Sequence, residues 1–163
     1  MPDVLTHVSA FRTAAERRDL EGLLACFTDD AVIRSPVSAR LRFEGRKQLR
    51  EIFGIVLERL EVIDYYEELG DESSRVLFYR GRLAGADVEE TQLIRLADDG
   101  RIREIVFFIR PFDGLAGVAA GLAPELARAR GFGPARIAVM AVFGAALRGA
   151  ISLADRIGAR LMG

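Results

Sequence analysis

The stretch Arg75–Ile109, RVLFYRGRLAGADVEETQLIRLADDGRIREIVFFI, decides the fold. Within it hydrophobic residues recur at every second position, as a strand with one buried face requires. Two turn-prone pieces, AGAD and DDG, cut the run into three, and the Asp-Gly of the second is a strong hairpin signal. Strands are therefore expected at 75–83, 88–96 and 102–109. A fourth is expected at 62–69, separated from the first of these by GDESS.

Upstream the period changes. Leu5, Val8, Phe11 and Ala15 fall on one helical stripe, and Leu49, Ile52, Phe53, Val56 and Leu60 on another that opens after Gly45. Between them Asp19 is placed to cap a short helix over 20–27, with Glu21 in its first turn. A short strand over 31–37, stopped by Pro36, completes the set. Three helices followed by an antiparallel meander make an α+β fold, with the helices covering one face of a curved sheet.

The last fifty residues differ in character. Residues 1–113 carry 17 basic and 22 acidic side chains, a net −5, whereas 114–163 carry six arginines against Glu125 and Asp155, a net +4. This divides the chain into a domain over 1–113 and a C-terminal helical extension over 114–163. One helix is expected over 115–130, with Pro124 best placed in a first helical turn, and another after the GFGP break at Gly131 to Pro134. In the latter, Val139, Phe143, Leu147, Ile157 and Leu161 share one face, and Arg148, Ser152, Asp155 and Arg156 lie toward the other. Arg148 interrupts the apolar run, so the helix reads as amphipathic rather than as a membrane span. Such a helix packs within its own protein or its dimer, pairs with another chain, or lies on an anionic membrane surface. The first is favoured, because amphipathic helices of soluble chains bury their apolar face in protein.

A net charge of −1 gives no basic field for nucleic acid. A single cysteine, Cys26, rules out an intramolecular disulfide and a cysteine metal cluster, and reads as a small core hydrophobe. A single histidine, His7, rules out a histidine-rich metal site. No metal site or cofactor is expected, since no glycine-rich phosphate loop or dinucleotide fingerprint follows a strand. The opening residues lack a basic then apolar leader pattern, so the expected location is cytoplasmic.

The order of elements, together with LEGLLACFTDDAVIRSPV, FEGRKQL and DGRIREIVFFIRPF, resembles the SnoaL-like branch of the NTF2-like superfamily over about residues 4–112. The resemblance implies a cone of curved antiparallel sheet around a deep pocket, commonly in a homodimer. It does not choose a function, because isomerases, dehydratases, cyclases, epoxide hydrolases and pure binders share the fold. Ketosteroid isomerases of the superfamily use a carboxylate base, a tyrosine and a protonated aspartate. Carried over by position, these fall on Ser35, Phe11 and Gln92, none of which supplies the required chemistry.

The same correspondence turns Phe11, Phe27, Phe53, Tyr79, Gln92, Ile105 and Ile109 toward the interior, with Ser35 lining it. Strand alternation adds Leu77, Glu90, Ile94 and Phe107. These residues are the expected ligand-binding set, and Glu90 with Gln92 the catalytic candidates, with Ser35 or Tyr79 in reach of Glu90. A carboxyl buried among aromatics has a raised pKa and serves as acid or base. Arg80, Arg82, Arg95 and Glu89 fall on the opposite face with Phe78, Leu93, Val106 and Phe108, as a dimer interface or a surface under the C-terminal helices. The expected function is binding of a small apolar molecule, with cofactor-free isomerase, lyase or cyclase chemistry distinct from that of ketosteroid isomerases. The alternatives are a non-catalytic dimeric interaction module and a membrane-peripheral protein.

Overall fold

A computed structural model describes residues 4–162 of the chain, with side chains from His7 onward; Leu5 of the first helical stripe lies outside the described side chains. Three helices come first in an α+β arrangement: α1 (Val4–Arg17), α2 (Leu20–Ala25) and α3 (Gly45–Arg59). The capping of α2 follows the sequence, since Asp19 accepts a hydrogen bond from the Gly22 amide at 3.0 Å. The strands are β1 (Phe27–Arg34), β2 (Arg42–Glu44), β3 (Leu60–Gly70), β4 (Ser74–Leu83), β5 (Ala86–Leu96) and β6 (Ile102–Arg110). They form one sheet in the order β2-β1-β6-β5-β4-β3.

Four details differ from the sequence expectation. The first strand lies at Phe27–Arg34 rather than 31–37, so Phe27 belongs to β1 and not to the second helix. Its partner β2, only three residues long, is too short to show a period. The sheet is also mixed, because β1 runs parallel to β6 while every other pairing is antiparallel. The chain reaches β1 through helices rather than a hairpin, which leaves its direction free. Finally, β3 begins at Leu60, directly after α3, so Leu60 and Ile63 continue the hydrophobic stripe as strand residues.

Register shifts between Leu60 and Val62 and between Tyr65 and Glu67 bend β3, the edge of the sheet. The concave face holds the core. Phe11, Phe27 and Phe53 meet there at ring-centroid separations of 5.4 to 6.4 Å, edge-on or tilted as aromatic quadrupoles prefer. Cys26 is buried in the same core, its Sγ 3.3 Å from the Gly22 carbonyl, and burial pushes its thiol up to about 11.

The C-terminal segment forms α4 (Phe112–Ala129) and α5 (Pro134–Met162). Pro124 sits inside α4 rather than at a first turn, and it is buried there. The helix already has more than two turns of its own upstream of Pro124, and burial of its alanine-rich face holds it through the missing hydrogen bond. Gly131, at φ +74°, then reverses the chain. α4 lies close on the turn joining β4 to β5: a Cβ on Gly117 would stand 2.6 Å from that of Ala86. α5 packs on α4 just as closely, since a Cβ on Gly144 would stand 3.2 Å from the Ala120 Cα.

α5 does not turn its apolar stripe onto its own domain. Gly144, Arg148 and Ser152 face the body of the protein, and an Arg148 guanidinium nitrogen donates to the Gly85 carbonyl at 3.1 Å. Val139, Val142, Phe143 and Leu153 face outward. Close helix packing needs small residues, and on α5 those lie on the polar side, so that side is the one drawn in. Among the described helices, α5 alone is long and apolar enough to cross a membrane.

Candidate functional site

Cross-strand register assembles the site. Tyr65 on β3 pairs with Tyr79 on β4, Tyr79 with Glu90 on β5, and Glu90 with Ile109 on β6. Side chains directly opposite one another on neighbouring strands share a face, so one row across the concave surface reads Tyr, Tyr, Glu, Ile. The next row contains Gln92 paired with Phe107. Above these rows lies a cavity of about 190 Å³. Its apolar walls come from Phe11 of α1, Ile52, Phe53, Val56 and Leu57 of α3, and Val118, Leu122 and Leu126 of α4. Ala119 and Ala123, small residues on the inner side of α4, leave the space open. The loop after β1 supplies Ser35, Pro36, Val37 and Leu41 at one side.

The polar groups are few and concentrated on the sheet. Glu90 is 4% exposed and Gln92 5%. The Gln92 Nε2 donates to Glu90 Oε1 at 2.9 Å, and Glu90 also hydrogen-bonds with Tyr79. Burial without a cationic partner dominates the Glu90 carboxyl and pushes its pKa from 4.5 up to about 7, while the bonds from Gln92 and Tyr79 pull the other way. Burial also raises the Tyr79 phenol well above its ordinary value, with the Glu90 charge adding to the effect. Tyr65 is raised for the same two reasons, and it touches Gln92. Beyond it, the Arg12 guanidinium lies 5.1 Å from the Tyr65 ring centre and forms an ion pair with Glu68 at 3.1 Å. Gln92 Oε1 is buried with no hydrogen-bond partner among the described residues. An amide oxygen in that position is short of a donor.

The expected ligand-binding residues divide into two groups. Phe11, Ser35, Phe53, Tyr79, Glu90, Gln92, Phe107 and Ile109 line the cavity. Phe27, Leu77, Ile94 and Ile105 are buried but do not reach it. They belong to the filled end of the cone, where Ile94 pairs with Ile105 and Phe27 packs between Phe11 and Phe53. Alternation fixes which face a residue takes but not how far along that face the void extends. Ser35 also stays apart from Glu90: its Oγ accepts the Val37 amide at 3.1 Å. Tyr65 and the α4 residues were not anticipated. Tyr65 is followed by a second tyrosine at a bulge, which hides its direction, whereas the four-residue steps Val118, Leu122 and Leu126 were a legible signal.

On the opposite sheet face Glu89 gathers three partners: the Tyr66 hydroxyl at 2.8 Å, Arg80 at 3.3 Å and Arg110 at 2.7 Å. Phe108 is 55% exposed there, so the C-terminal helices leave that part of the face open, although Arg148 and Ser152 of α5 border it beside Arg80, Arg82 and Glu89. Among the described residues no cluster of three or more His, Cys, Asp or Glu side chains is arranged to hold a metal ion.

Three solved structures show the breadth of the likeness. A steroid delta-isomerase from Pseudomonas aeruginosa is 29% identical, over 80% of this chain and 93% of that one, with a TM-score of 0.67. A protein with a cystatin-like fold from Silicibacter pomeroyi is 18% identical, over 83% and 92%, also at 0.67. The epoxide hydrolase/cyclase-like enzyme SalBIII of pyran ring formation in the polyether salinomycin is 19% identical, over 66% and 90%, at 0.58. The last two, at so low an identity, carry the fold alone. No protein of curated function matches the chain. The SnoaL-like domain model matches residues 8–105, more than half of the sequence, and the chain belongs to that family within the NTF2-like superfamily.

Proposed function

We propose that the protein binds a small apolar molecule bearing a hydrogen-bond donor and moves a proton on it with Glu90, without a cofactor. One observation carries this reading: a fully buried carboxyl, with a pKa near 7, forms the polar floor of an otherwise apolar cavity. At neutral pH such a group is present in both protonation states, which suits a general acid or base. As a base it takes a proton from carbon beside a carbonyl, and the developing oxyanion meets the Tyr65 hydroxyl or the Gln92 amide. Gln92 Oε1 is left to accept a hydroxyl of the ligand.

Size narrows the substrate. An apolar cavity of ~150 Å³ takes one benzene ring, so about 190 Å³ suits a one-ring molecule. Together with Ser35, Phe11 and Gln92 at the three positions where a ketosteroid isomerase needs its base and its two donors, this favours isomerase, lyase or cyclase chemistry on a smaller substrate. The likeness to a steroid delta-isomerase supports isomerase chemistry in this fold. A homodimer through the sheet face around Phe108 belongs to the same proposal. Its exposed aromatic surface favours it.

The test follows a one-ring cyclic ketone that also carries a hydroxyl in D₂O by NMR, reading deuterium uptake beside the carbonyl, and titrates the same hydroxyketone calorimetrically. Binding and exchange are expected for the native chain. Exchange should fall at least about a hundredfold in Glu90→Gln, as loss of a general base does, and binding should vanish in Ala119→Phe, which fills the cavity. If Glu90→Gln leaves both affinity and exchange unchanged, the catalytic assignment fails.

A further inference from the structure

We propose that the outward face of α5 docks the protein onto the surface of an anionic membrane. The helix has 29 residues, a length of about 43 Å at ~1.5 Å per residue. Its inner side, where Ile137, Met140 and Ile151 are part-buried along with Gly144 and Arg148, is already spent on α4 and on the Gly85 carbonyl. The side left to solvent carries Val139, Val142, Phe143, Leu153 and Ile157, and the first three are 68%, 71% and 68% exposed. A surface helix of a water-soluble body normally shows the opposite arrangement. A continuous apolar stripe of this length marks a binding surface.

Charge identifies the occupant. Arg136, Arg156 and Arg160 are all exposed and border the stripe near its two ends. The only acid of the helix, Asp155, is two residues from Leu153 and so lies about 160° around the axis from it. The outward face therefore has cations and no anions. A second copy of α5 answers this badly. Antiparallel pairing sets Arg136 beside Arg160, and parallel pairing sets each arginine beside itself, with no outward carboxylate to separate them. Anionic lipid headgroups supply the missing countercharge while the acyl boundary takes the stripe. Crossing the bilayer is disfavoured for a different reason. Packing of Gly144 on Ala120, and of Arg148 on Gly85, holds the helix flat against the protein, parallel to the surface it would meet.

Co-sedimentation of the full chain with phosphatidylcholine vesicles, with and without phosphatidylserine, tests the proposal. Binding is expected only to the vesicles containing phosphatidylserine and should be released by high salt. Arg156→Glu with Arg160→Glu should weaken it about thirtyfold or more, given the loss of two cations near the surface. Val142→Ser with Leu153→Ser should abolish it, and both pairs replace exposed residues, so circular dichroism should be unchanged. Equal binding to both vesicle types overturns the proposal, as does pelleting that survives high salt, which would mean insertion. So does a chain that ignores vesicles, whether it is monomeric or forms an assembly that Val142→Ser with Leu153→Ser disperses.

Discussion

Replacing Glu90 by glutamine should stabilise the protein, and only above mildly acidic pH. The Glu90 carboxyl titrates at about 7 in the folded chain against an ordinary value of 4.5. Below pH 4.5 it is protonated in both the folded and unfolded states and has no effect on the balance between them. Between 4.5 and about 7 the unfolded chain releases the proton and the folded chain retains it, so stability is lost as pH rises. At ~1.4 kcal/mol per pH unit the loss reaches about 3 kcal/mol and then levels off. Glutamine has the same shape, keeps a partner for Gln92 and Tyr79, and does not titrate. Urea unfolding of both proteins from about pH 4.5 to about pH 8.5 isolates the effect, since every other titrating group is common to the pair. The gap should widen toward alkaline pH by about 3 kcal/mol in favour of Glu90→Gln. A gap that stays constant would show that the carboxyl is hydrated in the folded state, and would remove the basis for acid–base chemistry at this site.

Two further perturbations test the frame around the cavity. Cys26, buried and with its thiol pushed up to about 11, should resist a thiol reagent in the native protein and react only after unfolding; rapid native labelling would contradict its place in the core. Gly81 lies opposite Ile63, and a Cβ there would stand 2.3 Å from the Val62 carbonyl. Gly81→Ala should therefore cost about 1–3 kcal/mol in urea unfolding by forcing β3 from β4, and no loss would mean that this edge is looser than its register indicates.

The meander was legible because each of its strands buries one face, and a period of two is all that such a strand has to declare. The family resemblance implies that Gln92 faces inward, and that rule then places Glu90, two residues away, on the same face. The rule gives no depth, which is why Ile94 and Ile105 were grouped with a void they do not touch. Pairing direction was equally invisible: nothing in FTDDAVIR tells whether β1 meets β6 parallel or antiparallel, since the choice depends on the path of the helices between them. The orientation of α5 has a sharper cause. Hydrophobicity indicates which face of a helix gains from burial, but the face that packs is the one on which backbones can approach. In α5 these differ, because Gly144 lies on the side of Arg148 and Ser152.

The replacement of the usual acid by Ser35 has a coherent physical sense once Glu90 is in view. A base on the loop after β1 would stand at the side of the cavity with Pro36 and Val37, the latter 52% exposed, where water can reach it. On β5 the carboxyl instead sits mid-sheet, flanked by Tyr79 on one strand and Ile109 on the other, where water is excluded and desolvation sets its pKa. The tyrosine row makes that position tenable. Tyr79 and Gln92 supply hydrogen bonds that lower the cost of the ionised form without supplying a positive charge that would lock it in. An arginine at either position would hold the carboxylate permanently ionised, and a leucine would hold it permanently neutral. Under the proposed function the site both takes and returns a proton, and the arrangement of Tyr79, Glu90 and Gln92 suits that need.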